Sequence, residues 1–178
     1  IARPTRIDRM SQLLLGLFIA LFIPVGASAA YATLSAAPWV PSRKSTRDLL
    51  VSLPLPAGSI FLELGCGDGR ILFDLAAKYP QCTFIGYEIS LPLFLLARIR
   101  SISIPNIRIR LRSIYKLSDQ PTHIYAFLMP DAYKKLKPIL LNLDRGTIIY
   151  TNIWPLSTKG HSEPLTTLDG QKLFKTIV

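Results

Sequence analysis

Cysteine and histidine are scarce in this chain: its 178 residues hold two of each, Cys66 and Cys82, His123 and His161. One cysteine lies in a glycine-rich loop and the other in a strand-like stretch, which argues against a disulfide framework and favours a reducing compartment. No pair among these four has metal-ligand spacing, so no metal is expected. Acids are also few. Asp and Glu total 11 against 21 Lys and Arg, a formal charge of +10 at pH 7. Charge of either sign is missing altogether from Met10 to Ser42. Internal repeats and low-complexity tracts are absent too, so the length supplies one compact domain and little more.

The uncharged run contains "LLLGLFIALFIPVGASAAYA", about the length needed to cross a hydrocarbon core as a helix. A secretory signal would show a basic start, a short apolar stretch and a small-residue cleavage site. Arg3, Arg6 and Arg9, the leucine-rich run and "GASAAYA" supply all three. An uncleaved anchor would use the same residues. Charge does not orient it, because Arg43, Lys44 and Arg47 on the far flank balance the first three. The expected organisation is a basic flank (1–9), a transmembrane anchor (10–36), a linker with a short helix (37–57) and an α/β domain (58–178).

In the linker, "APWVPSRKSTRD" is extended ahead of its prolines. A helix is predicted from Thr46 with Asp48 in its first turn, stopped by Pro54 and Pro56. Strand and helix patterns then alternate. "SIFLEL", "CTFIGYE", "IRIRLR", "HIYAFLM" and "GTIIYTNIW" read as strands, with "IRIRLR" wet on its arginine face. "GRILFDLAAKY", "LPLFLLARIRSI" and "DAYKKLKPILLNL" read as helices, Pro92 being tolerated in a first turn. "PLTTLD" and "QKLFKTIV" around a turn make a final hairpin. This alternation predicts a Rossmann-like parallel sheet with helices on both faces, closed by an antiparallel hairpin.

The first strand runs into "FLELGCGDGR". Ligands of such sheets bind beyond the carboxyl ends of the strands, where strand order reverses. The dinucleotide spacing G-x-G-x-x-G would put its last glycine at Arg70; the spacing present is G-x-G-x-G over Gly65, Gly67 and Gly69. Glu63 stands two residues ahead. An acid there is a poor neighbour for pyrophosphate and a good one for a cation, such as the ammonium and sulfonium of S-adenosyl-L-methionine. Glu88, ending the second strand, is placed to accept hydrogen bonds from ribose hydroxyls. The candidate cofactor residues are Glu63, Gly65, Cys66, Gly67, Asp68, Gly69, Glu88 and Ile89, with Ser113 and Ile114 toward the adenine.

These residues resemble a class I methyltransferase: "ELGCGDGR" and "YE" match the first two motifs of that superfamily. "PWVPS", "FLMPDAYKKLKPIL" and "LDRGTIIYTNIWPL" carry a narrower resemblance, from about Pro38 to the end. They are similar to the small protein-lysine methyltransferases that include the mitochondrial ATP synthase c-subunit enzyme and broad-specificity archaeal members. That resemblance implies S-adenosyl-L-methionine as cofactor and a protein lysine ε-amine as acceptor, membrane proteins being among the candidate substrates. By position it places Leu128, Met129 and Pro130 in the acceptor pocket, and Trp39, Val40 and Pro41 in a segment folded over the cofactor. Ser113 and "IIYTNIW" depart from the family pattern.

A lysine must arrive neutral, so a dry slot is expected around Leu128, Met129, Pro130 and Trp154, with Asn152 or Tyr150 as hydrogen-bond acceptor. No general base is assigned. The Asn/Asp-Pro-Pro-aromatic run of base-amino methyltransferases is absent. No aromatics interleave in sequence with Arg98, Arg100, Arg108, Arg110 and Arg112. Nucleic acid is therefore an unfavoured partner at this stage, and lipid headgroups the simpler one. Because the cofactor is a cytosolic metabolite, the expected placement is an uncleaved anchor with the domain in the cytoplasm. Small molecules, lipid, nucleic acid and a silent nucleoside-binding role are the alternatives.

Overall fold

The structure, a computed structural model, describes residues 6–35, 40–156 and 162–178. A long helix α1 (Arg6–Ser35) leads into α2 (Lys44–Ser52). Then follow β1 (Ile60–Leu64), α3 (Arg70–Lys78), β2 (Thr83–Glu88), α4 (Leu91–Arg100), β3 (Ile107–Leu111) and β4 (His123–Ala126). The chain closes with α5 (Pro130–Leu140), β5 (Ile148–Asn152), β6 (Ser162–Thr166) and β7 (Lys172–Ile177). The strands form one sheet in the order β3-β2-β1-β4-β5-β7-β6. Its first five strands are mutually parallel, while β7 runs antiparallel to β5 and to β6. Strand order reverses between β1 and β4, so the crevice at the end of β1 is the switch point.

Period-two alternation divides the core into two layers. Phe61, Phe84, Ile107, Ile109, Tyr125 and Tyr150 face Leu50 of α2, Leu72 and Leu75 of α3 and Ala97 of α4. Leu62, Leu64, Ile85, Tyr87, Ile124 and Ile149 face Ala132, Tyr133, Leu136 and Leu140 of α5. Leu72, Leu75, Leu136 and Leu140 are fully buried, and each contributes roughly 1.5–3 kcal/mol by leaving water. The central strands are buried on both sides, hence their near-continuous apolar runs. Edge strand β3 buries Ile107 and Ile109 and exposes Arg108, as its alternation predicts.

Several boundaries differ from the sequence reading: α1 starts at Arg6 and β5, read through Trp154, ends at Asn152. The α2 helix begins at Lys44, two residues earlier than expected, so Asp48 lies beyond its first turn and pairs with Lys44 at 2.7 Å. Strand β4 ends at Ala126; Phe127 to Met129 are the connection into α5, whose Pro130 starts the helix.

Candidate active site

Parallel register sets four polar side chains on one face at the carboxyl edge of the sheet. Glu63 pairs with Gly86 on one side and Tyr125 on the other. Tyr125 pairs with Tyr150, and Glu88 and Asn152 each lie two residues beyond their strand's paired position. Asn152, Tyr125, Glu63 and Glu88, from β5, β4, β1 and β2, therefore form a buried polar crest above the α2–α3–α4 core layer.

The glycine loop climbs over that crest. Gly65 N and Cys66 N both donate to Tyr87 O at 2.9 Å. Gly65, Gly67 and Gly69 all have positive φ, 76°, 55° and 78°, a region that side chains with a Cβ avoid. Gly67 N donates to Glu88 Oε2 at 2.8 Å, and Ile89 N and Ser90 N donate to Glu88 Oε1 at 2.9 and 2.7 Å. Glu88 thus ties the loop to the end of β2, a duty the sequence did not announce.

Glu63 behaves differently. It is 5% exposed, and its Oε2 has no hydrogen-bond partner. Burial above all, then the charges of Asp68 and Glu88, push its carboxyl well above the ordinary range, with Arg70 opposing. A buried carboxylate oxygen without a donor is costly and is the feature expected of a site completed by a cation. Asn152 Oδ1 is likewise buried without a donor, while its Nδ2 donates to Tyr125 Oη at 3.2 Å. Tyr125 Oη also shares a hydrogen bond with Ser42 Oγ at 3.1 Å, so the segment before α2 reaches onto the crest.

The remaining candidates divide. Asp68 turns away from the crest: Arg70 grips it through Nε and Nη2 at 2.9 Å each, and Arg100 Nη1 reaches its Oδ2 at 3.1 Å and its carbonyl at 2.9 Å. Burial opposes its ionisation, but the Arg70 hydrogen bond and the two positive charges prevail and hold it below the usual carboxylate range. Cys66 points into the core, its thiol raised by burial; only its backbone faces the loop. Ile114 packs beneath α5, and Ser113 Oγ accepts from Tyr115 N at 3.4 Å. Ile89 is half-buried at the turn after β2.

The expected acceptor slot is not assembled as drawn. Leu128 is buried core, 3.5 Å from where a Cβ on Gly65 would stand, whereas Met129 is 45% exposed and Pro130 begins α5. Trp154 packs against the α5 layer, while Asn152 and Tyr150 belong to the opposite face. Tyr150 is buried beside the His123 ring, centroids 6.5 Å apart, away from the edge. Val40 is exposed and Pro41 lies ahead of α2; Trp39, like His161, lies outside the described residues.

Sequence reasoning missed Tyr125 of the crest, which only cross-strand register reveals, and two residues that shape the backbone around it. A Cβ on Gly86 would meet Cys66 Sγ at 2.6 Å and Leu72 Cδ1 at 2.8 Å, so this glycine lets the loop and α3 close onto β2. A glycine inside a buried strand was the available signal. Ile153, straight after β5, has φ 67°, a left-handed conformation that is an outlier for a β-branched residue. Its N–H donates to Lys172 O at 2.9 Å, and Trp154 N to Asn152 O at 2.8 Å. This strained turn swings the chain from the crest face to the α5 face, and nothing in the sequence marks it.

Comparison with known proteins accords with this geometry. A family model described as putative methyltransferase matches residues 57–135. An RNA methyltransferase from Salinibacter ruber, solved with S-adenosyl-L-homocysteine, superposes with a TM-score of 0.70 over 78% of this chain and 94% of its own, at 23% identity. The fold is that of the class I methyltransferases. A methyltransferase from Geobacter sulfurreducens, also with S-adenosyl-L-homocysteine, gives a TM-score of 0.55 at 18% identity over 70% of this chain and 54% of its own. Among curated proteins, the tRNA (guanine-N(7)-)-methyltransferase of Thermosynechococcus vestitus is 40% identical over 45 residues, which is 25% of this chain and 21% of that protein. The chain thus matches only about a fifth of that relative's length. S-adenosyl-L-methionine is the cofactor to which these neighbours point, S-adenosyl-L-homocysteine being what it becomes on giving up its methyl.

One expectation is overturned. Nucleic acid was set aside as a partner, yet the Salinibacter protein and the Thermosynechococcus enzyme act on RNA by name. The physical reason is that interleaved aromatics serve base stacking, whereas phosphate contacts need only positive charge. The arginine–aromatic pairs formed here, Arg112 on Tyr87 and Arg100 on Phe73, belong to the fold, Tyr87 being fully buried. The missing Asn/Asp-Pro-Pro-aromatic run concerns exocyclic amino groups and does not bear on other RNA atoms. A protein-lysine acceptor draws no support from these relatives.

Proposed function

We propose that the chain is an S-adenosyl-L-methionine-dependent methyltransferase acting on RNA. The observation that carries the first half is the unpartnered Glu63 Oε2 beneath a loop of positive-φ glycines. A phosphate would be repelled there; an ammonium would supply the missing donor. The RNA half is supported by the named neighbours and by the formal charge of +10, which favours a polyanion.

When bound, S-adenosyl-L-methionine supplies a methyl on a positively charged sulfur. Glu63 would hold the amino-acid end, and Glu88, already fixed by three backbone donors, would offer its remaining lone pairs to the ribose. The chemistry the cofactor would supply is in-line methyl transfer to a nucleophilic atom of the acceptor. The protein's share is alignment. Asn152 and Tyr125, at the ends of neighbouring strands, would orient the acceptor, while no residue is assigned as a general base.

We also propose that α1 is a retained membrane anchor. Met10–Ser28 is 19 residues long with mean hydropathy 2.0 and no buried share, which is unlike a core helix. Ser28 Oγ accepts from Leu91 N at 2.9 Å and donates to Ile89 O at 3.3 Å, contacts that a cleaved signal would forfeit.

The test is incubation of the full chain with methyl-labelled cofactor and either total RNA or stripped membranes. Label that nuclease releases and protease does not is the expected result. Label confined to protein overturns the RNA acceptor, and absence of cofactor binding overturns the methyltransferase reading itself.

A further inference from the structure

The α4 helix carries a surface that the site does not use. Ala97 faces the core, but Leu95 and Leu96 are 44% and 45% exposed, Ile99 is 64% and Ile102, in the following turn, 75%. Leu95, Ile99 and Ile102 recur at intervals of four and three, the spacing that stacks side chains on one helix face. Arg98 and Arg100 lie between them in sequence and are exposed. Arg100 is partly engaged by Asp68, and Arg98 has no ion pair among the described residues. Exposed aliphatics interspersed with arginine on a short helix match an element that lies in a lipid interface rather than one waiting for a protein groove.

The position of α1 identifies the occupant. Helix α1 touches α4, and Ser28 Oγ, at the end of the apolar stretch Met10–Ser28, accepts from the Leu91 amide in the first turn of α4. A bilayer crossed by that stretch has its headgroup plane where α4 begins.

We infer that the exposed face of α4 and the turn after it rest on an anionic lipid surface, bringing the crevice beside Glu88 and Ile89 close to the bilayer. The occupant is anionic because this face offers the cation of Arg98, which has no ion pair among the described residues, Arg100 being held by Asp68 and Phe73. The inference draws on the anchor reading for the position of the bilayer, but the two can fail separately.

The experiment uses the full chain in nanodiscs of phosphatidylcholine with phosphatidylserine. Polarity-sensitive labels are placed one at a time through Ile99→Cys, Ile102→Cys, Ile19→Cys within the apolar stretch, and Lys135→Cys on exposed α5 as the aqueous control. Both native cysteines are buried. Several-fold weaker quenching by acrylamide at 99 and 102 than at 135 is expected, with the protection reduced by Arg98→Glu or in phosphatidylcholine alone. Equal quenching at 99, 102 and 135 overturns the inference. So does protection that arises in detergent as protein concentration rises, which would mark a second copy of the chain, or protection by RNA without lipid. The label at 19 reads the anchor alone: protected at 19 but open at 99 keeps the anchor and sinks the surface. Open at 19 but protected at 99 does the reverse.

Discussion

Glu63→Gln separates a carboxylate kept for a ligand from one that is merely part of the fold. The side chain is 5% exposed, its Oε2 lacks a donor, and burial together with Asp68 and Glu88 drives its carboxyl upward. In the empty protein this is a liability. A carboxyl whose folded value lies above its unfolded one costs nothing at acid pH, and destabilises increasingly as pH rises through the unfolded value towards the folded one. Glutamine keeps the shape and removes that cost, so the unliganded variant should unfold at the same temperature or a few degrees higher at neutral pH, about 2–4 °C per kcal/mol for this size. Binding moves the other way. A hydrogen bond to a charged partner contributes about 1.5–3 kcal/mol, so the variant should bind S-adenosyl-L-homocysteine roughly tenfold to a hundredfold more weakly.

Calorimetry in buffers of different ionisation heat adds a second readout, because a cation seated against Glu63 should release its proton and make affinity rise with pH. Methylthioadenosine, which lacks the amino-acid end, is the control. Its affinity should not change. Equal losses for both ligands, or a wild-type affinity for S-adenosyl-L-homocysteine, would refute the pairing of Glu63 with an ammonium.

Gly86→Ala should destabilise by about 1–3 kcal/mol through overpacking against Cys66 and Leu72, read as a lower urea midpoint at unchanged slope. Ile153→Gly should relieve about 1–2 kcal/mol of left-handed strain, partly offset by glycine's greater loss of freedom; a lower melting temperature would show the turn to be unstrained. Asp68 sits below its usual range beside Arg70 and Arg100, so it stabilises above its unfolded value and loses that contribution as pH falls through the lower folded one. Asp68→Asn should therefore flatten the acid limb of stability against pH, and a limb as steep as wild type would assign acid unfolding elsewhere.

The parts legible in the sequence were those with a local period. Alternation in "IRIRLR" announced a strand with one wet face, and glycine in "LDGQ" announced the hairpin that closes the sheet. The loop glycines and the two acids were legible because each is confined to a strand end. Cross-strand relations were not. Nothing local says that Tyr125 will stand beside Glu63, that Asn152 will lean on the Tyr125 hydroxyl, or that Trp154 will pass to the other face through a left-handed isoleucine. The acceptor slot draws on two runs, 128–130 and 150–154, and the plane of the sheet divides the second, with Tyr150 on one side and Trp154 with Leu128 on the other.

Asp68 and Glu88 show how one loop can keep acids for opposite purposes. Both are buried, yet each is held by donors, Asp68 by two guanidinium groups and Glu88 by three amides. After burial, the charges of Asp68 and Glu88 raise Glu63. The ligand that relieves the crevice must bring positive charge to Glu63 without needing an anion's welcome from the loop above. A pyrophosphate fails that test on electrostatic grounds even though the strand–glycine loop–helix is the arrangement that elsewhere cradles one. The choice of cofactor in this fold is thus made by the acid below the glycines, while the glycines decide only how closely the backbone can approach.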